Sequence, residues 1–384
     1  MKKWRIPFNR PTLVGAEQAN LDEVLSRRKF SGGGHYNAAC NSWLRSHLGV
    51  SGVLMTTSCT HALEMAALLS DVQPSDEVVL PSYAFSSTAT AFARCGARLK
   101  FVDCDPQTMN IDTAAVEKAI TPRTKVIVAL HYAGVSCNMQ ALQALADRHG
   151  LKIVEDAAQA LFASYRGQPC GTFGDYGCYS FHETKNLHCG EGGALVLNRK
   201  EDVEKAEILL EKGTNRMRFF RGDIAKYEWV GMGSSYVPSE LNTAFLLAQL
   251  EANETITANR LAHWHHYREA LTPLREAGLI ELPKPPDDCQ HNAHIFWIKL
   301  AGKTQRDELI TYLKQRGIGA TFHYVPLHST PAGRKYGEFA GEDRYTSRDS
   351  DRLLRLPLFF GMADAEVEEV TSHIAGFFEQ ARRS

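Results

Sequence analysis

Between about residue 52 and residue 200 the chain alternates short apolar, β-branched runs with stretches whose apolar residues recur every three or four positions. The short runs, at 52–56, 77–80, 99–103, 125–131, 152–155, 176–181 and 193–197, read as strands. The stretches between them, at 60–69, 86–95, 113–120 and 139–149, carry helical spacing. Strand and helix in alternation predict crossover connections and a mostly parallel sheet, so the fold class is α/β.

The pattern changes after Ser239. From there to about His266 the chain is periodic, rich in Leu, Ala and Gln and free of internal Gly and Pro, which predicts one extended helix. Pro283, Pro285 and Pro286 then interrupt it. A β-like run at 293–300 and a helix at 304–316 follow, the signature of a smaller α+β unit. A length of 384 residues suits two domains, because single cores stop growing near 250–300 residues. The expected division is a large α/β domain with the N-terminal segment over 1–250 and a small C-terminal α+β domain over 251–384.

Composition narrows the partners. With 44 acidic residues against 43 basic ones the net charge is −1, so no basic face is forced and nucleic acid is not an expected partner. A hydrophobic share of 44% with 23% charged residues fits a soluble globular protein, and no apolar run approaches the ~20 residues that span a bilayer. The start, Met1-Lys2-Lys3-Trp4, is not followed by the apolar stretch and cleavage site of a signal peptide, so a cytoplasmic location is expected. The nine cysteines are scattered without a Cys-x-x-Cys pair, which argues against disulfides and a zinc knuckle. His182, His188 and Cys189 match no tetrahedral spacing, so no metal is expected.

Candidate chemistry lies at strand ends. Val154-Glu155-Asp156-Ala157-Ala158-Gln159 puts acids at the carboxyl end of a strand, the edge where open parallel sheets bind ligands. A carboxylate there equally caps a following helix. Further along, Ser180-Phe181-His182-Glu183-Thr184-Lys185 ends a strand in a serine and a lysine, and Gly190-Glu191-Gly192-Gly193 returns the chain where backbone and a ligand approach closely. Taken alone, such a lysine is a solvated side chain. Upstream, Thr56-Thr57-Ser58-Cys59-Thr60 turns from a strand into a helix, which offers hydroxyls and free N–H groups to a phosphate, although Ser and Thr also cap helices that bind nothing. Together these are the parts a pyridoxal phosphate enzyme needs: an amine for the aldehyde, an acid against the ring nitrogen, and phosphate donors. Asp156 would keep the ring nitrogen protonated, and Lys185, once displaced, would carry a proton.

At these residues the chain resembles the DegT/DnrJ/EryC1/StrS sugar aminotransferases of the type I, aspartate-aminotransferase fold. The likeness runs over nearly the full length: Ile6-Pro7, Gly32-Gly33-Gly34, Pro81-Ser82-Tyr83-Ala84-Phe85, His131-Tyr132-Ala133-Gly134, the 155–159 and 180–185 runs, and His323-Tyr324-Val325-Pro326-Leu327-His328. The resemblance implies pyridoxal 5′-phosphate as cofactor, with Lys185 as its Schiff-base lysine, Asp156 as the pyridinium partner and Gln159 beside the ring hydroxyl. It implies phosphate contacts from Ser58, the Cys59 backbone, Thr60 and Ser180. Phe85 reads equally as core and as a ring stacked on the cofactor; the resemblance favours stacking.

Two departures stand out. Cys59 replaces a customary Gly, and Ser235-Tyr236-Val237-Pro238 replaces Asn-Tyr-Arg-Met, whose Asn reaches the cofactor phosphate of the partner subunit; Ser235 stands in its place. The runs 58–60, 182–186, 211–216 and 233–236 look like the branch that aminates dTDP-4-dehydro-6-deoxyglucose at C4 for enterobacterial common antigen.

That branch implies a homodimer with shared active sites, L-glutamate as donor and a dTDP-keto-sugar as acceptor. Arg216 and Arg221 are candidates for the diphosphate, and His323, Tyr324 and His328 for the sugar-nucleotide pocket, although a charged loop is also an ordinary solvated surface and a His-Tyr pair can simply bridge domains. Amination at C3, or of a UDP-linked sugar, fits the same residues. Relatives that dehydrate their sugar carry His where this chain has Lys185. Intact Asp156, Gln159, Ser180 and Lys185 argue against a non-catalytic regulator.

Overall fold

The computed structural model describes residues 4–383, so Met1 to Lys3 of the N-terminal reading lie outside the described residues. The apolar runs assemble into one eight-stranded sheet in the order Gly52–Thr56, Gly193–Leu197, Tyr176–Ser180, Lys152–Asp156, Thr124–Leu130, Glu77–Pro81, Arg98–Val102, Gly337–Phe339. Strand 193–197 runs antiparallel to both neighbours, and the other pairings are parallel. The parallel strands follow from the helices between them, each returning the chain to the same edge. Side chains alternate between layers: Val78 and Leu80 meet the helices Cys59–Leu69 and Ser86–Ala93, whereas Val79 faces Thr113–Ala119 and Met139–His149.

The helix expected over 239–266 is two helices, Glu240–Glu251 and Asn253–Glu276, parted at Ala252 with φ −94° and ψ 10°. Leu246 and Leu250 of the first pack with Leu44, Leu48 and Val53, while Trp264, Tyr267 and Leu271 of the second pack with Leu309, Leu354 and Val370. Two separate cores claim the two halves, and that tertiary demand turns the chain without Gly or Pro. Glu240 also caps the helix His35–Leu48, accepting from the N–H groups of Gly34, Tyr36 and Asn37. A Cβ on Gly34 would lie 2.6 Å from that carboxylate, which explains one glycine of the 32–34 loop.

The second core covers a small antiparallel sheet of Trp297–Lys299, Leu353–Arg355 and Thr321–Phe322. Two segments cross the division expected near residue 250. Ile6, 1% exposed, bridges to Ile318 and packs in the second core, and strand 337–339 joins the edge of the large sheet. Lys299, fully buried, pairs with Asp349 at 2.7 Å and donates to the Pro106 carbonyl, tying the small sheet to the loop after strand 98–102. No helix among the described residues is long and apolar enough to cross a membrane.

Candidate active site

Strand 152–156 ends in two acids that point to opposite faces. Glu155 faces away from the cavity and accepts four hydrogen bonds inside the protein. Asp156 faces a cavity of about 500 Å³ at the carboxyl edge of the sheet. It is 3% exposed, accepts from the Thr88 hydroxyl at 2.6 Å and from the Ala158 N–H at 3.2 Å, and among the described residues has no cation within ion-pairing distance. Burial pushes its pKa up, against the opposing pull of Thr88, Ala158 and the more distant Lys185.

Lys185 opens into the same cavity from the turn after strand 176–180, a turn closed by its N–H donating to the His182 carbonyl at 2.9 Å. Burial holds its pKa below the ordinary lysine value, with Cys59 and Asp156 opposing. The amine is thereby biased toward the neutral, nucleophilic form.

The third wall is the start of helix Cys59–Leu69. Ser58 is its N-cap, accepting from the His61 N–H at 3.2 Å, and the Thr60 hydroxyl donates to Ser87 at 2.9 Å. A Cβ on Gly193 would come within 2.4 Å of the Cys59 nitrogen, so strand 193–197 packs directly under this turn. The Gly-rich return therefore accommodates the turn itself. Ser58, Cys59, Thr60, Phe85, Asp156, Gln159, Ser180, Lys185, His323 and Tyr324 all line the one cavity.

Phe85 is 59% exposed and 6.4 Å from the Tyr324 ring, which rules out the reading that it is core. Gln159 is fixed at both ends, accepting from the Ala133 N–H at 2.7 Å and donating to the Tyr324 hydroxyl at 2.8 Å. Ser180 closes its strand by accepting from the His182 N–H at 3.4 Å. The His323 ring stacks on Tyr324 at 3.6 Å.

Four expected residues lie elsewhere. His328 is not in the cavity wall: after Pro326 the chain turns into the short helix Leu327–Ser329, and the imidazole bonds to Ser82 at 2.7 Å and faces Asp343 at 3.3 Å. Arg216 and Arg221 do not line the cavity of their own chain. They pair on the surface, Arg216 with Glu211 at 3.2 Å and Arg221 with Glu207 at 2.7 Å. Ser235 is exposed, bridging the backbone of Glu211.

Among the wall residues that sequence reasoning missed are Thr88 and Arg355. Thr88 carried a usable signal, being one helical turn after Phe85. Arg355 carried none.

This donor set fits pyridoxal phosphate on its own chemistry. An enclosed amine of lowered pKa suits an aldehyde, a buried carboxylate without a counter-ion suits a protonated ring nitrogen, and a helix N-terminus rich in hydroxyls suits a phosphate.

Comparison with known proteins agrees. A sequence model of the DegT/DnrJ/EryC1/StrS aminotransferase family matches residues 11–375. The chain is 33% identical over 378 residues, 95% of each chain, to the spore coat polysaccharide biosynthesis protein SpsC of Bacillus subtilis (strain 168). It is 32% identical over 363 residues, 93% of each chain, to a pleiotropic regulatory protein of Geobacillus stearothermophilus. Its fold is similar to that of the aminotransferase TlmJ from Streptoalloteichus hindustanus, with TM-score 0.90 and 30% identity over 98% of this chain and 100% of that one. The chain belongs to the DegT/DnrJ/EryC1/StrS aminotransferase family, with pyridoxal 5′-phosphate as its cofactor.

Proposed function

We propose that the protein is a cytoplasmic sugar-nucleotide aminotransferase that moves the amino group of L-glutamate to the C4 ketone of dTDP-4-dehydro-6-deoxy-D-glucose, giving dTDP-4-amino-4,6-dideoxy-D-galactose. The observation that carries the catalytic reading is the meeting of Lys185, Asp156 and the Ser58–Thr60 turn in one cavity. Pyridoxal phosphate held there would supply an electron sink that eases loss of the proton from the carbon bearing the nitrogen. Lys185 holds the cofactor through its amine and, once freed, moves that proton. Asp156, aimed by Thr88, keeps the ring nitrogen protonated by charge. Ser58, the Cys59 N–H, Thr60 and Ser180 hold the phosphate, Phe85 covers the ring, and Gln159 stands by the ring hydroxyl. His323 and Tyr324 face the sugar.

The reading includes a homodimer in which Ser235, Arg216 and Arg221 of each chain serve the cavity of the other. Its support is the exposed apolar surface of that segment, where Phe220 is 61%, Trp229 77% and Met232 76% exposed. The choice of a dTDP-linked C4 ketone rests on the likeness of residues 58–60, 182–186, 211–216 and 233–236 to that branch.

Holoenzyme incubated with glutamate and a panel of dTDP- and UDP-linked 3-keto and 4-keto sugars, with NMR of the products, tests the substrate. Amination at C4 of the dTDP sugar is expected; preferential amination at C3, or of a UDP sugar, overturns it. The regulatory relative favours a second reading, binding without catalysis. Lys185→Ala separates the two, because only the enzyme loses amino transfer while keeping its fold.

A further inference from the structure

The side of the cavity formed by the small sheet holds a cation that no carboxylate among the described residues neutralises. Arg355 ends strand 353–355, the central strand of that sheet. Its Nη1 donates to His323 Nε2 at 3.0 Å, and its guanidinium carbon lies 4.7 Å from the Phe8 ring centre. Its Nε is buried without a hydrogen-bond partner. Among the described residues no carboxylate lies within ion-pairing distance of it. Burial lowers its pKa, and the phenols of Tyr132, Tyr324 and Tyr83 oppose that lowering.

A half-buried guanidinium whose Nε is shut off from water and whose charge has no carboxylate beside it is costly to keep unless an anion joins it. Here Arg355 lines the cavity, so the anion comes from a ligand. The cofactor phosphate is served by the Ser58–Thr60 turn, which leaves the anions that substrates bring. In an α-amino acid the carboxylate is bonded to the same carbon as the amine, so its binder must lie close to Lys185. In a nucleotide sugar the diphosphate leaves C1, across the ring from a C4 ketone, and projects away from the reacting centre. Arg355 is near enough to Lys185 for its charge to depress the lysine's pKa, and it also acts on His294 on the same wall.

We infer that Arg355 anchors the α-carboxylate of the amino donor, with His323 as the positioning residue that holds the guanidinium fork. The inference rests on the aminotransferase reading and deepens it. A guanidinium pairs with a carboxylate through two parallel N–H bonds. His323 can accept from Nη1 only while that ring nitrogen is unprotonated, and burial pushes its pKa down, which secures that state. A keto sugar brings no such carboxylate, so Arg355 serves one half of the reaction.

Titration calorimetry of the holoenzyme with L-2-hydroxyglutarate, which keeps the α-carboxylate and lacks the reacting amine, reads the site without turnover. Charge-assisted hydrogen bonds set the scale: the α-carboxamide of that ligand binds wild type about 30-fold more weakly, and Arg355→Gln weakens the acid by about as much while abolishing the preference over the amide. Arg355→Lys, which keeps the charge and loses the fork, falls between. The visible absorption of the lysine-bound cofactor confirms that each variant is folded and loaded.

In single turnovers, Arg355→Gln raises the glutamate needed for half-maximal rate at least about 10-fold more than it raises the keto sugar needed. Acid binding within about 3-fold of wild type, or an equal loss in both half-reactions, overturns the anchor. Absence of amino transfer from every amino acid by wild type instead refutes the aminotransferase reading.

Discussion

Glu155→Gln changes one atom and should cost more than most core substitutions. Glu155 is fully buried, and each of its oxygens accepts two donors: Oε2 takes His131 Nε2 at 2.8 Å and the Gly171 N–H at 2.6 Å, and Oε1 takes the N–H groups of Phe173 and Gly174 at 2.6 and 2.7 Å. A glutamine has one carbonyl, so either amide orientation turns an NH2 toward two donors. His131 cannot relieve the clash by changing tautomer, because its Nδ1 already accepts from the Cys137 N–H at 3.1 Å. Two buried donors therefore go unpaired, at about 1–3 kcal/mol each, or about 2–6 kcal/mol in all. At 384 residues melting as one unit, 1 kcal/mol corresponds to about 1.2 °C, so Tm falls by about 2–7 °C. The melt is run on protein stripped of cofactor, whose binding would otherwise mask part of the loss. Hydrogen exchange should quicken at the Gly171, Phe173 and Gly174 amides. A Tm within about 1 °C of wild type, with protection at those amides unchanged, refutes the account.

Asp156→Asn should trade activity for stability. Burial raises the Asp156 pKa above its unfolded value of 3.8, so the folded chain binds the proton more tightly, and stability falls as pH rises from 3.8 through the raised pKa. The stripped variant therefore melts above wild type at pH 7, and the gap closes as pH drops toward 3.8; a variant that melts lower at pH 7 defeats this. Its turnover should drop about 10³-fold, since opposite charges in contact at an effective dielectric near 20 interact by about 4 kcal/mol. Lys299→Met leaves Asp349 buried with only Arg348 at 2.7 Å and Arg352 at 3.4 Å, and should cost about 3 kcal/mol in urea denaturation; an unchanged midpoint counts against the pair's role. Trp229→Glu with Met232→Glu puts charge on the exposed apolar segment and should convert a dimer to monomer in sedimentation, with loss of turnover. An active monomer would dispose of the shared site.

The parts of the site that were legible in the sequence are those a single strand and its following turn deliver. Asp156 ends a strand, Lys185 sits in the turn after one, and Ser58 to Thr60 start a helix, so local pattern alone sends all three to the same sheet edge. What stayed hidden depends on closure between distant segments. Arg355 reaches the cavity only because strand 353–355 pairs with both 297–299 and 321–322. His323 and His328 belong to one run of sequence, yet the turn after Pro326 sends the second to Ser82. The break at Ala252 answers to two cores competing for one helical stretch, and helical spacing on either side of it is uninterrupted. The division has a chemical counterpart. The residues proposed to hold the cofactor come almost wholly from the strand ends and following turns of the large sheet, whereas Arg355, His323 and Tyr324 enter the cavity from the C-terminal part of the chain. A chain of this kind therefore discloses its cofactor through local motifs and its substrates only through tertiary structure, and the group proposed for the donor carboxylate is an arginine that no motif marks.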